Sequence, residues 1–248
     1  MRYTSLLIFL LLIGLVSCGP SKMQLKEEAS VHYGIGVVHL NDGNIPAALK
    51  ELTSAVEKYP NDATYHNALG LAFFARELND DAIDHFKQAI EIKEDFSDAH
   101  TNLSAVYLQE GQWDKAISEA NEALGNIFYN TPAFAYLNRG RGYYEKAEYR
   151  EAAADFERGI KANANYTLAY YNLGLAYMRL DRYGEAQEAF TTLVRFIPDH
   201  IDGHYNLGLT YLKLKKPKQA RQAFTEVIRL APDGEMAISS QGYLDLLR

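Results

Sequence analysis

Alanine stands at Ala48, Ala82, Ala116, Ala152, Ala186 and Ala220, spaced by 34 residues except for one interval of 36. A chain that returns to one small residue on so long a period is a row of like modules rather than a single closed core, and its fold must supply six equivalent settings for that alanine. In this register the repeats cover 29–62, 63–96, 97–130, 133–166, 167–200 and 201–234, with residues 131–132 as an insertion. The alanine is repeat position 20. Position 8 is also small throughout: Gly36, Gly70, Ser104, Gly140, Gly174 and Gly208. Position 11 is large: His39, Phe73, Tyr107, Tyr143, Tyr177 and Tyr211. Position 24 reads Leu52, Phe86, Ala120, Phe156, Phe190 and Phe224. Position 32 is proline three times, at Pro60, Pro198 and Pro232.

This pattern resembles the tetratricopeptide repeat, which places two antiparallel helices in each 34 residues. The resemblance implies an all-α fold: a right-handed superhelix, or solenoid, of six repeats. Small residues at positions 8 and 20 would let the two helices of a repeat approach, and large residues at 11 and 24 would fill the space beside that contact. Each repeat keeps an apolar side that needs a neighbour. Turn signals fall in register, at Asn41-Asp42-Gly43-Asn44 before Pro46, at Glu110-Gly111-Gln112, and at Lys216-Pro217. Residues 235–248, with Met236, Ile238, Tyr243, Leu244 and Leu247, read as a capping helix. The segment Gly125–Pro132 carries the insertion. It reads as plain loop variation, as a change of superhelical direction, or as a contact point through an exposed Phe128 or Tyr129.

The N-terminus carries a different signal. Arg2 precedes an apolar run, Leu6 to Val16, broken only by Gly14. That run is shorter than the about 20 residues that span a bilayer, and it fits the core of a secretory signal. Ser17 and Cys18, the only cysteine, follow it. One reading is an ordinary signal peptide with a free thiol, which would be a liability in an exported protein. The pattern resembles the lipobox of bacterial lipoproteins. That resemblance implies removal of residues 1–17, a diacylglycerol thioether on Cys18 and acylation of its new amino group. Acyl chains in that number suffice for stable anchoring. Gly19 follows, where an aspartate would mark inner-membrane retention in many Gram-negative species. The expected place is therefore the outer membrane, on its periplasmic face. Residues 18–28 are expected as the lipidated cysteine and a tether running into the first helix, with 19 to about 25 as the tether itself.

A formal charge of -7 speaks against a nucleic-acid partner and does not favour anionic lipid. His32, His66, His100 and His204 all occupy position 4, where Tyr136 and Tyr170 stand in the other two repeats, so they read as packing residues. Successive repeats place them about 10 Å apart, too far to share a metal. A repeat boundary separates His200 from His204. Asp80-Asp81 and Glu27-Glu28 suit helix starts. Gly34-Ile35-Gly36 lacks the strand and the lysine of a phosphate loop. No metal, no cofactor beyond the lipid on Cys18, and no enzyme activity is expected.

Function then falls to the inner face, expected at positions 2, 5, 9, 12 and 13. The candidate partner-binding residues are Tyr33, Val37, Leu40, Leu71, Phe74, Thr101, Leu108, Leu137, Arg141, Tyr144, Tyr171, Leu175, Met178 and Tyr205. An apolar inner face reads as a docking groove for a peptide, helix or strand edge. The 18 tyrosines divide between this face and the core positions. Repeats that clamp a C-terminal carboxylate use lysine at position 5 and Asn at 9, and neither occurs here. The basic inner candidates are Arg141, Arg179 and Lys213.

Lipobox, short tether, six repeats and cap together resemble the type IV pilus pilotins of the PilF/PilW/Tgl family. The resemblance implies a lipoprotein that binds secretin subunits, carries them to the outer membrane and promotes their assembly into a ring. In that family the work lies in the N-terminal repeats, here Tyr33, Val37, Leu40, Leu71, Phe74, Thr101 and Leu108. The rival resemblance is to adaptor lipoproteins of the NlpI type, which gather cell-wall hydrolases and synthases and dimerise through flanking helices; a third reading is an assembly factor for another envelope machine. No long extra helix lies outside the array, so a monomer is expected.

Overall fold

The computed structural model describes residues 20–247. Cys18 and the apolar leader lie outside the described residues. Among the described residues every regular element is an α-helix. The chain divides into two compact units between Pro60 and Asn61. The first holds α1 (Lys22–Asn41) and α2 (Ile45–Lys58). The second holds α3 (Ala63–Ala75), α4 (Asn79–Ile92), α5 (Ser97–Gln109), α6 (Trp113–Gly125), α7 (Pro132–Glu145), α8 (Tyr149–Ala162), α9 (Thr167–Arg179), α10 (Tyr183–Phe196), α11 (Ile201–Lys213), α12 (Pro217–Leu230) and α13 (Glu235–Leu246). Helices pair in chain order, one pair per repeat. Within the second unit, each second helix also packs on the first helix of the next repeat, and α12 packs on α13. The architecture is an all-α solenoid of helix pairs with a terminal helix.

One turn is used six times. Position 15 of every repeat has a left-handed backbone: Gly43 (φ 74), Glu77 (61), Gly111 (70), Ala147 (62), Asp181 (57) and Lys215 (55). The N–H of position 16 reaches the carbonyl of position 11, as in Gln112 to Tyr107 (2.8 Å) and Lys216 to Tyr211 (2.9 Å). The N–H of position 15 reaches position 12, as in Ala147 to Tyr144 (2.9 Å). These two bonds close the first helix in the manner of a Schellman motif. Only two of the six positions are glycine, so the sequence shows the device at Gly43 and Gly111 and hides it elsewhere.

The helix contact is tighter than the repeat pattern alone implies. All six position-20 alanines are fully buried. The large residue at position 24 does not sit beside the small residue at 8 but directly on it. A Cβ on Gly174 would stand 2.5 Å from Phe190 Cε1, and one on Gly36 would stand 2.6 Å from Leu52 Cγ. Gly70 with Phe86, Gly140 with Phe156 and Gly208 with Phe224 repeat the arrangement. The third repeat departs from it on both sides at once. Ser104 replaces the glycine, Ala120 replaces the ring, and the Ser104 hydroxyl donates to the Ala116 carbonyl at 2.7 Å. Both residues are fully buried, so the larger position-8 residue and the missing ring compensate within one repeat.

The position-4 histidines pack as expected, and each also finds a polar partner. In the first three repeats that partner is position 23: His32 Nδ1 with Glu51 (2.7 Å), His66 with His85 (3.0 Å between Nδ1 atoms), and His100 with Glu119 (2.7 Å). The fourth repeat places Asp155 at this position. It is 1% exposed and takes two bonds from Arg139, at 2.7 and 2.8 Å, and one from Arg158 at 2.8 Å. In the last two repeats position 23 is Ala189 and Ala223. His204 there uses Nε2 on the Pro198 carbonyl at 2.9 Å, and His200 caps α11 by accepting from the Gly203 N–H at 3.0 Å. His200 and His204 are thus occupied separately. Among the described residues no three metal-ligating side chains come together.

His100 and His85 are shifted in opposite senses. Burial works against the His100 charge, but Glu119 and the Glu94 carbonyl outweigh it and hold this histidine above its ordinary value of 6.5. Its stabilising contribution is present in full below that ordinary value and is lost as pH rises through the raised one. Burial, then His66, hold His85 below 6.5, against the opposing pull of Asp81 and Asp84 on its own helix. That contribution is present above the ordinary value and is lost as pH falls through the lowered one. Urea midpoints measured from about pH 5 to 8 should therefore lose their acid limb in His85→Gln and their alkaline limb in His100→Gln. Parallel profiles for both variants and the native chain would contradict the assignment.

Two expectations need correction. The helix starts at Lys22, inside the segment expected as tether, because Ser21 and Gln24 form a capping box with bonds of 2.8 and 3.2 Å. Glu27 and Glu28 therefore lie in the second turn of α1 rather than at its start, and Glu28 pairs with Lys58 of α2. The terminal helix α13 is present as expected: Ala237 and Ser240 are buried and the half-buried Tyr243 ring stacks on Phe224 at 4.9 Å, while Ile238 is 71% exposed.

Candidate protein-binding surface

The second unit carries a cleft of about 390 Å³ along the inner positions of α3, α5 and α7. Its walls come from position 2 (Asp98, Phe134), position 5 (Asn67, Thr101), position 6 (Asn102, Asn138) and position 9 (Leu71, Ala105). Tyr129 and Thr131 of the insertion loop close one side.

The loop is fixed by its own bonds. Asn126 Nδ2 donates to the Asp95 carbonyl at 3.1 Å and to Ser97 Oγ at 3.0 Å, and Asn126 Oδ1 accepts from the Phe128 N–H at 2.9 Å. The Tyr129 hydroxyl meets Thr101 Oγ1 at 2.9 Å. Burial, then its hydroxyl partners and Asp98, act on this phenol with a net upward shift, so it remains a neutral hydroxyl. Of the two residues singled out in this loop, Tyr129 turns in to the cleft. Phe128 turns out with Ile127, at 81% and 87% exposure.

Amides bridge the neighbouring first helices. Asn102 Nδ2 donates to Asn67 Oδ1 at 2.9 Å, and Asn138 Nδ2 donates to the Thr101 carbonyl at 3.0 Å. In the last two repeats the same position turns back on its own helix, Asn172 to Leu168 and Asn206 to Asp202.

The sequence-derived candidates divide into groups. Tyr33, Val37 and Leu40 lie on α1 in the first unit, each half-buried. In the second unit Leu71 and Thr101 line the cleft. Leu71 and Phe74 are half-buried and also pack on the cluster around Phe86 and Leu103. Thr101, Leu108 and Leu137 are not available as an open surface, at 5%, 4% and 3% exposure. The reason is that each is taken up by contacts inside the array. Leu108 joins the Phe86 cluster, Leu137 joins the cluster around Phe156 and Leu173, and Thr101 spends its hydroxyl on Ser97 and Tyr129.

Further along, Tyr144, Tyr171, Leu175, Met178 and Tyr205 are half-buried and Arg141 is exposed. Tyr171 meets Phe190 edge-on at 6.2 Å, and Tyr205 meets Phe224 at 6.0 Å, so these two position-5 tyrosines lean on the position-24 rings of their own repeats. Arg179 lies over the Tyr149 ring at 4.6 Å, and Tyr149 meets Tyr144 at 5.2 Å. Asp98, Phe134 and the Asn67–Asn102 pair were not among the candidates. Reading position 2 out across the repeats would have supplied Asp98 and Phe134. No helix among the described residues is long and apolar enough to cross a membrane.

Comparison with known proteins bears on this geometry. One family model described as tetratricopeptide repeat matches residues 33–95, 137–201 and 171–235, and a second such model matches 73–127. PilF of Pseudomonas aeruginosa superposes with a TM-score of 0.80 at 16% identity, over 88% of this chain and 98% of that one. PilW, titled a widely conserved type IV pilus biogenesis factor, superposes with 0.79 at 17% identity, over 86% and 98%. At such identities the likeness speaks to the fold. The lipoprotein NlpI homolog of Haemophilus influenzae is 30% identical over 95 residues, which is 38% of this chain and 30% of that protein. The chain thus matches less than a third of the length of that curated relative.

Proposed function

The chain belongs to the tetratricopeptide repeat family, a fold of protein-binding scaffolds, and from that premise we propose that it is an outer-membrane pilotin. In this reading Cys18 carries the lipid, the array faces the periplasm, and its inner face receives secretin subunits of the type IV pilus and promotes their multimerisation. The observation that carries the reading is one of extent. PilF is matched over 98% of its length, so the array corresponds nearly end to end with a protein of that kind. The lipobox resemblance at Ser17-Cys18 supplies the anchor. No nucleotide enters the scheme; subunit association and membrane insertion supply the energy.

The test is an immunoblot for the heat-resistant secretin multimer in outer membranes from cells with and without this protein. The expected result is loss of multimer with monomer still made, and the same loss when Cys18→Ala releases the chain from the membrane. Normal multimer in cells lacking the protein would sink the pilotin reading. The local 30% identity to the NlpI homolog favours the second reading, an adaptor for cell-wall hydrolases and synthases. That reading would then lead.

A further inference from the structure

We propose that the cleft between α3, α5 and α7 binds an extended peptide segment in which a lysine or arginine lies next to a large apolar side chain. The inference rests on the reading of the array as a protein-binding scaffold and names the class of segment that one part of it takes.

Charge complementarity selects the basic residue. Asp98 is the one acidic or basic side chain in the cleft wall. It is exposed in the first turn of α5, and among the described residues it forms no ion pair. A cationic side chain laid in the cleft would find this carboxylate in its path. Tyr129 is neutral and already spans from the loop to Thr101, so its hydroxyl adds an acceptor rather than a competing charge.

The amide pair selects an extended backbone. Asn102 and Asn67 share one bond between them. Each side-chain amide has both a donor and an acceptor end, so the pair keeps an NH₂ group and a carbonyl oxygen for the C=O and N–H of a peptide. An extended chain presents both groups sideways, whereas a helix has already used them. Leu71 and Phe134 supply the apolar wall that seats the neighbouring side chain. The insertion makes this cleft particular to one place, because Tyr129 and Thr131 belong to the connection that carries the two extra residues.

The full chain would be panned against a displayed library of random linear 12-mers, with Asp98→Asn and Tyr171→Ala tested in parallel. The expected selection pairs Lys or Arg with a large apolar residue. Asp98→Asn should weaken a selected peptide by about two- to fivefold, the range for an exposed ion pair, and should erase the basic preference. The carboxylate is exposed, so the amide variant keeps the fold. Selected peptides without basic residues, or with affinity unchanged in Asp98→Asn, would overturn the cleft. Peptides insensitive to Asp98→Asn but lost in Tyr171→Ala would also overturn it, while leaving the protein-binding scaffold in place. A library that yields no binder likewise overturns it, and the secretin immunoblot still decides the broader reading independently.

Discussion

Phe190→Ala is expected to destabilise the fourth and fifth helix pairs of the second unit by about 3–5 kcal/mol, the range for deleting a fully buried ring. Phe190 has no exposed surface and rests on the glycine at position 8 of its own repeat. Stability in a repeat array is roughly a sum of repeat and interface contributions. Hydrogen exchange in α9 and α10 should therefore accelerate before the terminal helices respond. The third repeat suggests the compensation. Gly174→Ser combined with Phe190→Ala would copy Ser104 with Ala120, the new hydroxyl donating to the Ala186 carbonyl as Ser104 does to Ala116. The double variant should recover about 1 kcal/mol relative to Phe190→Ala alone. Gly174→Ser alone should be destabilising by about 1–3 kcal/mol, because the ring leaves no room for a side chain. A double variant no more stable than Phe190→Ala would show that the two positions do not compensate.

Asp155→Ala is the second large effect, expected at about 3–5 kcal/mol for breaking a buried ion pair. Asp155 is nearly inaccessible and Arg139 is only 16% exposed along its side chain. Arg139 is held above the ordinary arginine value, first by the Asp155 bond. Removing the carboxylate leaves a half-buried guanidinium with Asn121 as its remaining hydrogen-bond acceptor. Replacing both, Arg139→Leu with Asp155→Leu, should be far milder, since apolar groups of similar volume often substitute for such pairs at little cost. Urea denaturation of the two variants, side by side, gives the comparison. Equal losses in the single and double variants would mean that packing, not the stranded charge, sets the cost.

The fold was legible because its main contact is local and repeats. Gly70 with Phe86 and Gly208 with Phe224 lie 16 residues apart in sequence and recur at fixed register, so a period search finds them. The cleft was less legible for two physical reasons. Its closure depends on Asn126 and Tyr129, which belong to the connection that breaks the period. Its floor depends on how closely two first helices approach, and that distance is not written in any single repeat. Thr101, Leu108 and Leu137 occupy inner positions by number, yet Leu108 and Leu137 are buried in the core clusters and Thr101 is tied to Ser97 and Tyr129. The same numbering leaves Asp98 and Arg141 open. Position 23 was also missed, because its residues, Glu51, His85, Glu119 and Asp155, share polarity rather than identity.

The six left-handed turns set a rule for how such a chain can change length through evolution. Each turn closes two backbone bonds in the space of two residues, and the second helix begins at once. One residue added there would break both bonds and rotate the second helix by about 100°, the angle per residue of an α-helix. Its alanine would leave the first helix and a polar side chain would take its place. The connections between repeats carry backbone bonds of their own, as from the Tyr166 N–H to the Asn163 carbonyl at 3.1 Å, but they do not set the facing of the two helices within a repeat. Residues can accumulate there without disturbing either helix pair, as the two at 131–132 have done. Novelty in this array is thus channelled to the joints between modules.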